Sequence, residues 1–246
     1  MVRGYDHGRY YRRGNYRAVL MTERQVEAAY RSRFSTLVHA ESFLRTADLR
    51  KAPSEGRLIR AVICPRFELR RRDQMCRREF AAWLDENAPE NVKHQRPGNW
   101  TPFLHGLSYG SYLQGGYYGR GYELRLFHNG ALGLTMDLSE HISPDRLNLT
   151  RLASELQASL FAVASRLFQT LDIGGPLLIQ VSLHNVASVR GLLPDRYTAR
   201  ADLELGRSLV SFVEEASASE VICAPETVVE RIIDRLALGF GFLPKQ

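Results

Sequence analysis

Tyr122-Glu123-Leu124-Arg125-Leu126-Phe127-His128-Asn129-Gly130-Ala131-Leu132-Gly133-Leu134-Thr135-Met136 is the stretch that sets the fold class. From Tyr122 to Phe127 apolar and polar residues alternate with a period of two, which gathers the apolar ones on a single face of a strand. Asn129-Gly130 then suits a type I′ turn, because both central positions of that turn need positive φ. Ala131 to Met136 is the return strand, so the segment predicts an antiparallel hairpin with one buried face.

Working downstream, Pro144-Asp145 leads into the longest helix. Leu149, Leu152, Leu156, Leu160, Val163, Leu167 and Leu171 recur there at spacings of three and four. Phe161 and Phe168 widen that stripe, which makes it a core face rather than a coiled-coil seam. Gly174-Gly175-Pro176 breaks the helix, and Leu177 to Leu183 reads as a strand. A further strand is expected between Leu203 and Val213. The last helix starts near Pro225 and Glu226, carries Val228, Val229, Ile232, Ile233 and Leu236 on one side, and stops at Gly239.

Upstream, Leu58 to Cys64 reads as a strand ended by Pro65. Asp73 is placed to cap a helix running to about Glu86, with Met75, Phe80, Trp83 and Leu84 on its apolar side. A polar loop spans Asn87 to about Pro102. Hairpin strands separated from long helices predict an α+β fold, with an antiparallel or mixed sheet covered on one face by helices.

Composition fits that picture. The chain has 246 residues, 44% of them hydrophobic and 24% charged, which is globular rather than disordered. Its apolar runs fall far short of the roughly 18 residues that span a bilayer, so no membrane partner is expected. The N-terminus lacks the apolar core of a secretory signal, which predicts a cytoplasmic protein. Cys64, Cys76 and Cys223 form no Cys-x-x-Cys pair, and the seven histidines have no metal-ligand spacing. Reduced thiols, no metal and no cofactor are therefore expected, and no Gly-x-x-x-x-Gly-Lys phosphate loop occurs. Charge is uneven: residues 1–100 hold 21 Lys and Arg against 12 Asp and Glu, whereas residues 101–246 hold 12 against 15. The whole positive excess thus lies in the first part, where it favours a polyanionic partner.

That first part opens with a short strand, Arg9-Tyr10-Tyr11-Arg12-Arg13, a turn at Gly14-Asn15, and a second extended piece from Tyr16 to Leu20. Thr22 and Gln25 form a capping-box pattern before a linker helix with Val26, Tyr30, Phe34, Leu37 and Leu44 at helical spacing. Pro53-Ser54-Glu55-Gly56 marks the boundary, giving a unit of residues 1–52 and a second of residues 57–246. Arg12, Gly14, Met21 and Thr22, followed by an acidic amphipathic helix with Glu23, Val26 and Glu27, resemble the end of the Schlafen-type AlbA domain of bacterial proteins. Asn15 and Tyr16 stand where that family carries small serines, and the interval from Gly14 to Met21 is one residue longer. The resemblance covers about residues 9–34. It implies nucleic-acid binding; Arg9, Arg12, Arg13 and Arg17, which flank the turn and alternate with Tyr10, Tyr11 and Tyr16, coincide with the match, so Arg9, Tyr10, Arg12, Arg13, Gly14 and Arg17 are the expected contacting residues. Some relatives cut RNA with carboxylates in the earlier part of the domain; no counterpart occurs here, so no catalytic residue is carried over.

Other motifs have competing readings. Gly106-Leu107-Ser108-Tyr109-Gly110 matches a Gly-x-Ser-x-Gly nucleophile elbow with His105 beside it, but an elbow needs a strand before the serine and a helix straight after. Gly115, Gly116, Gly119 and Gly121 oppose that helix. Tyr109, Tyr112, Tyr117, Tyr118, Arg120 and Tyr122 offer stacking faces for bases, or else a sheet edge packed on the core. Arg66, Arg70, Arg71, Arg72, Arg77 and Arg78 are either a phosphate-tracking patch or a solvated surface. The functional expectation is a non-catalytic accessory or regulatory protein that binds DNA or RNA through its N-terminal arginines. Its alternatives are an interaction module that forms a homo-oligomer through the apolar long helix, and a serine hydrolase using Ser108.

Overall fold

The computed structural model describes residues 2–6, 9–13, 18–20, 43–44, 56–66, 78–87, 100–103, 106–110, 122–192, 194–195, 197–199 and 204–245. Strands β1 (Val2–Asp6), β2 (Arg9–Arg13) and β3 (Ala18–Leu20) form a three-stranded antiparallel sheet in that order. They are followed by β4 (Leu58–Pro65), helix α1 (Arg78–Glu86), β5 (Thr101–Phe103), β6 (Gly106–Gly110), β7 (Tyr122–Phe127), β8 (Leu132–Asp137) and β9 (Arg146–Asn148). Helix α2 (Leu149–Leu156) runs through a π-helical turn (Gln157–Phe161) into α3 (Ala162–Thr170). The chain closes with β10 (Pro176–His184), β11 (Arg190–Leu192), β12 (Tyr197–Ala199), β13 (Leu209–Ser217), α4 (Ala218–Cys223), α5 (Pro225–Gly239) and β14 (Phe242–Pro244).

Seven strands make the main sheet in the order β13-β10-β4-β8-β7-β6-β5, and every neighbouring pair is antiparallel. The fold is therefore α+β with an antiparallel sheet. Ile59, Ala61 and Ile63 of β4, Leu132, Leu134 and Met136 of β8, and Leu177, Ile179, Val181 and Leu183 of β10 share one face by the two-residue alternation. They form a single apolar cluster with the helices. On the opposite face Val62, Cys64, Phe127, Ala131 and Leu178 gather around Leu44 and Phe43. The Phe43 ring meets Phe127 edge-on, with centroids 4.9 Å apart. The linker segment thus reaches the main sheet at these two residues; the rest of its expected helix lies outside the described residues.

The hairpin forms where alternation predicts it, with a different turn. The Gly130 N–H donates to the Phe127 carbonyl at 2.9 Å, and the Phe127 N–H donates to the Ala131 carbonyl at 2.8 Å. Gly130, at φ 84°, is the sole residue of the loop with positive φ. The connection is therefore the three-residue loop His128-Asn129-Gly130 rather than a two-residue type I′ turn. Asn129 stays out of the left-handed region because its side chain does the work: Oδ1 accepts the Ala131 N–H at 3.1 Å.

Every member of the long apolar stripe from Leu149 to Leu171 is buried, as are Phe161 and Phe168. The helix starts at an Asn148 cap, whose Oδ1 accepts the Arg151 N–H at 2.9 Å, after β9 has intervened behind Pro144-Asp145. Its π-helical turn lets three consecutive residues, Ser159, Leu160 and Phe161, all be buried. The Ser159 hydroxyl is satisfied by the Glu155 carbonyl at 2.5 Å. The strand expected between Leu203 and Val213 begins later, at Leu209. Gly206, at φ 64°, donates its N–H to the Ala187 carbonyl and turns the chain before the strand can start. The strand then extends to Ser217, which caps α4 in a capping box with Glu220. Helix α5 begins at Pro225 and ends at Gly239, as its signals predict. The helix expected from Asp73 is described from Arg78, and Asp73 and Met75 lie outside the described residues.

Candidate nucleic-acid interface

Arg9, Tyr10, Arg12 and Arg13 occupy β2, the central strand of the three-stranded sheet, while Gly14 and Arg17 lie outside the described residues. The expected hairpin is present: Tyr11 is opposite Leu20, Arg12 opposite Val19 and Arg13 opposite Ala18. A partner strand that the sequence reading missed pairs on the other side, with Tyr5 opposite Tyr10 and Asp6 opposite Arg9. That strand, β1, carries Arg3 and Tyr5 into the same sheet. Its sequence carries no two-residue alternation, since Val2 and Tyr5 stand three apart, and the pairing shifts register between them. One small sheet therefore assembles Arg3, Arg9, Arg12 and Arg13 with Tyr5, Tyr10 and Tyr11, against the single acid Asp6.

The second basic run is dispersed. Arg66 gives its guanidinium to Glu215 at 3.1 Å, so its charge is offset within the fold. Arg78 is the first residue of α1, and Arg70, Arg71, Arg72 and Arg77 lie outside the described residues. Tyr109 is buried and packs on Trp100, with ring centroids 5.4 Å apart. At this position the aromatic serves the core. Tyr112, Tyr117, Tyr118 and Arg120 lie outside the described residues.

Ser108 sits in the middle of β6, opposite Thr101 on one side and Arg125 on the other. A residue laddered on both sides is not at a strand-to-helix turn, so the Gly-x-Ser-x-Gly match has no elbow geometry. Gly106 is required there for packing, because a Cβ would lie 1.9 Å from the Leu126 carbonyl oxygen. Cys64 is buried, and desolvation pushes its thiol pKa up to about 12, which keeps it protonated and inert at neutral pH. Cys223 is exposed, and both are free thiols. Among the described residues no group of three or more His, Cys, Asp or Glu is placed to hold a metal ion.

A cleft of about 570 Å³ opens at one end of the main sheet, lined by Gly56, Arg57, Ser139, Ile142, Pro144 and Asn185. Asn185, at φ 58°, donates through Nδ2 to the Gly56 carbonyl at 2.7 Å, tying the start of β4 to the end of β10. The cleft lining offers one cation, Arg57, and the Ser139 hydroxyl, which donates to the Asp137 carboxylate at 2.6 Å. No helix among the described residues is long and apolar enough to cross a membrane.

Comparison with family models, curated proteins and solved structures finds no match to this chain.

Proposed function

We propose that this chain is a cytosolic nucleic-acid-binding accessory protein, the closing piece of a Schlafen-type AlbA domain joined to an α+β domain. It captures DNA or RNA through β2 and does no chemistry on the ligand. The observation that carries this reading is the place of Arg9 to Arg13 in the central strand of a small sheet whose neighbour supplies Arg3 and Tyr5. Successive residues of a strand alternate between faces, so by position Arg9, Tyr11 and Arg13 share one face of β2 while Tyr10 and Arg12 share the other, and each face pairs arginine with tyrosine. Each phosphate neutralised releases counterions, which supplies the affinity. A tyrosine that stacks on an unpaired base adds about 1–3 kcal/mol.

The test is fluorescence anisotropy of labelled single-stranded DNA and RNA with the full chain at several salt concentrations. Each phosphate contact on a single strand contributes about −0.7 to the log–log salt slope, so two to four contacts predict a slope of about −1.4 to −2.8. Absence of binding at low salt, or binding indifferent to salt, contradicts the reading. A second reading, an oligomerisation module, draws no support from the long helix, whose apolar stripe is consumed by the core. Its support lies at the edge of the main sheet.

A further inference from the structure

Among the described residues strand β13 is an edge: it pairs there with β10 on one side only. Its direction of pairing is legible from two arginines. The Arg235 Nη1 donates to the Val213 carbonyl at 2.6 Å and the Arg231 Nη2 to the Glu215 carbonyl at 3.3 Å. Those carbonyls therefore point away from β10. In an antiparallel strand the N–H and C=O of a residue point the same way, so the odd-numbered residues 209, 211, 213 and 215 carry the outward groups. The side chains of the same residues are exposed, with Leu209 at 45% and Val213 at 42%. A nine-residue edge strand bearing two exposed aliphatic side chains is a template for another strand.

We propose that the occupant is a second copy of this chain, added antiparallel to β13 about a twofold axis at Ser211, so that two seven-stranded sheets become one. Outward groups on odd residues require odd to face odd. With Ser211 opposite its own copy, Leu209 faces Val213, and Arg207, in the bend two residues ahead of the strand, comes opposite Glu215, each pair occurring twice by symmetry. Sliding the copy by two residues puts Arg207 opposite Val213 in one direction and Leu209 opposite Glu215 in the other, which matches neither charge nor apolar surface. The twofold register is thus the one in which both kinds of pair are complementary. Arg207 is exposed, and the Glu215 side chain is 65% exposed even with Arg66 on it. The two arginines at the edge are exchangeable. Arg235 also holds Glu214 at 3.0 Å and lies over the Phe212 ring, and Arg231 also holds Glu214 and Glu220. Each keeps those partners when a strand N–H replaces it on the carbonyl. This interface is independent of nucleic-acid binding.

The experiment is sedimentation velocity of the full chain over a concentration series, with thermal melts to verify folding. Wild-type chain sediments as a dimer. Arg207→Glu and Glu215→Arg each place like charges at two sites, which raises the dimer Kd about tenfold or more. An equimolar mixture of these two variants recovers the dimer, because each like-charge pair then becomes an opposite-charge pair. Val213→Lys, at an exposed position that the fold does not need, also weakens the dimer. A wild-type chain that stays monomeric at its highest soluble concentration overturns the proposal. So does a dimer indifferent to all three substitutions, or a mixture that stays monomeric when the single variants are folded.

Discussion

At the residue scale, Cys64 shows how far packing alone changes chemistry. Its side chain lies on the second face of the sheet in an apolar cluster with Val62, Phe127 and Leu178. Burial raises its pKa from the ordinary value of 9.0 to about 12. The sign follows: below pH 9 the thiol is protonated whether the chain is folded or not, and above it only the unfolded chain can release the proton. Stability attributable to this group is therefore intact below about pH 9 and falls as pH rises towards 12, by at most about 1.4 kcal/mol per pH unit. Urea titrations between pH 8 and 10.5 are expected to show a steeper loss for wild type than for Cys64→Ala; parallel pH profiles count against this assignment. Nothing in the sequence around Cys64 told its burial apart from that of a reactive thiol. The information lies in Phe127 and Leu178, which are distant in the chain.

Elements were legible to the degree that they are long and periodic. The seven-leucine-and-valine stripe of the long helix, the alternation of β7 and β8, and the Pro225 to Gly239 limits of α5 all state their burial in the sequence itself. Short elements carry no period: β9, β11, β12 and β14 have three residues each and exist because tertiary packing brings them together. The type I′ expectation failed because Asn129 has two ways to satisfy a turn, and the sequence does not show which is used. Ser217 is similar. It ends a strand and caps a helix at once, with its hydroxyl accepting the Glu220 N–H at 3.1 Å and its N–H donating to the Glu220 carboxylate at 2.7 Å. Ser217→Ala is expected to cost about 0.5–2 kcal/mol in urea unfolding, the range of a lost N-cap. Leu160→Ala, at the π-helical turn, is expected to cost about 2–5 kcal/mol because its cavity sits among fully buried neighbours. A cost at Ser217 equal to that at Leu160 contradicts this ranking of cap against core.

On the scale of the whole molecule, residues 1–100 hold the positive excess and the remainder has a balance of −3. The antiparallel main sheet and its helices supply the core, and the small N-terminal sheet carries Arg3, Arg9, Arg12 and Arg13 with Tyr5, Tyr10 and Tyr11. The candidate site was half legible. Arg9 to Arg13 could be singled out from sequence because basic and aromatic residues are interleaved beside a turn. Arg3 and Tyr5 could not, since only strand pairing brings β1 alongside. The most direct measurement compares two double variants in the anisotropy assay, Arg12→Ala with Arg13→Ala and Arg71→Ala with Arg72→Ala. Each removes two positive charges, so a purely electrostatic surface loses equal affinity and equal salt slope from both. The account predicts a larger loss from the Arg12 and Arg13 pair, in excess of the change in salt slope, because these residues also position Tyr10 and Tyr11 for stacking. Equal losses from the two pairs, or a larger loss from Arg71 and Arg72, would contradict it.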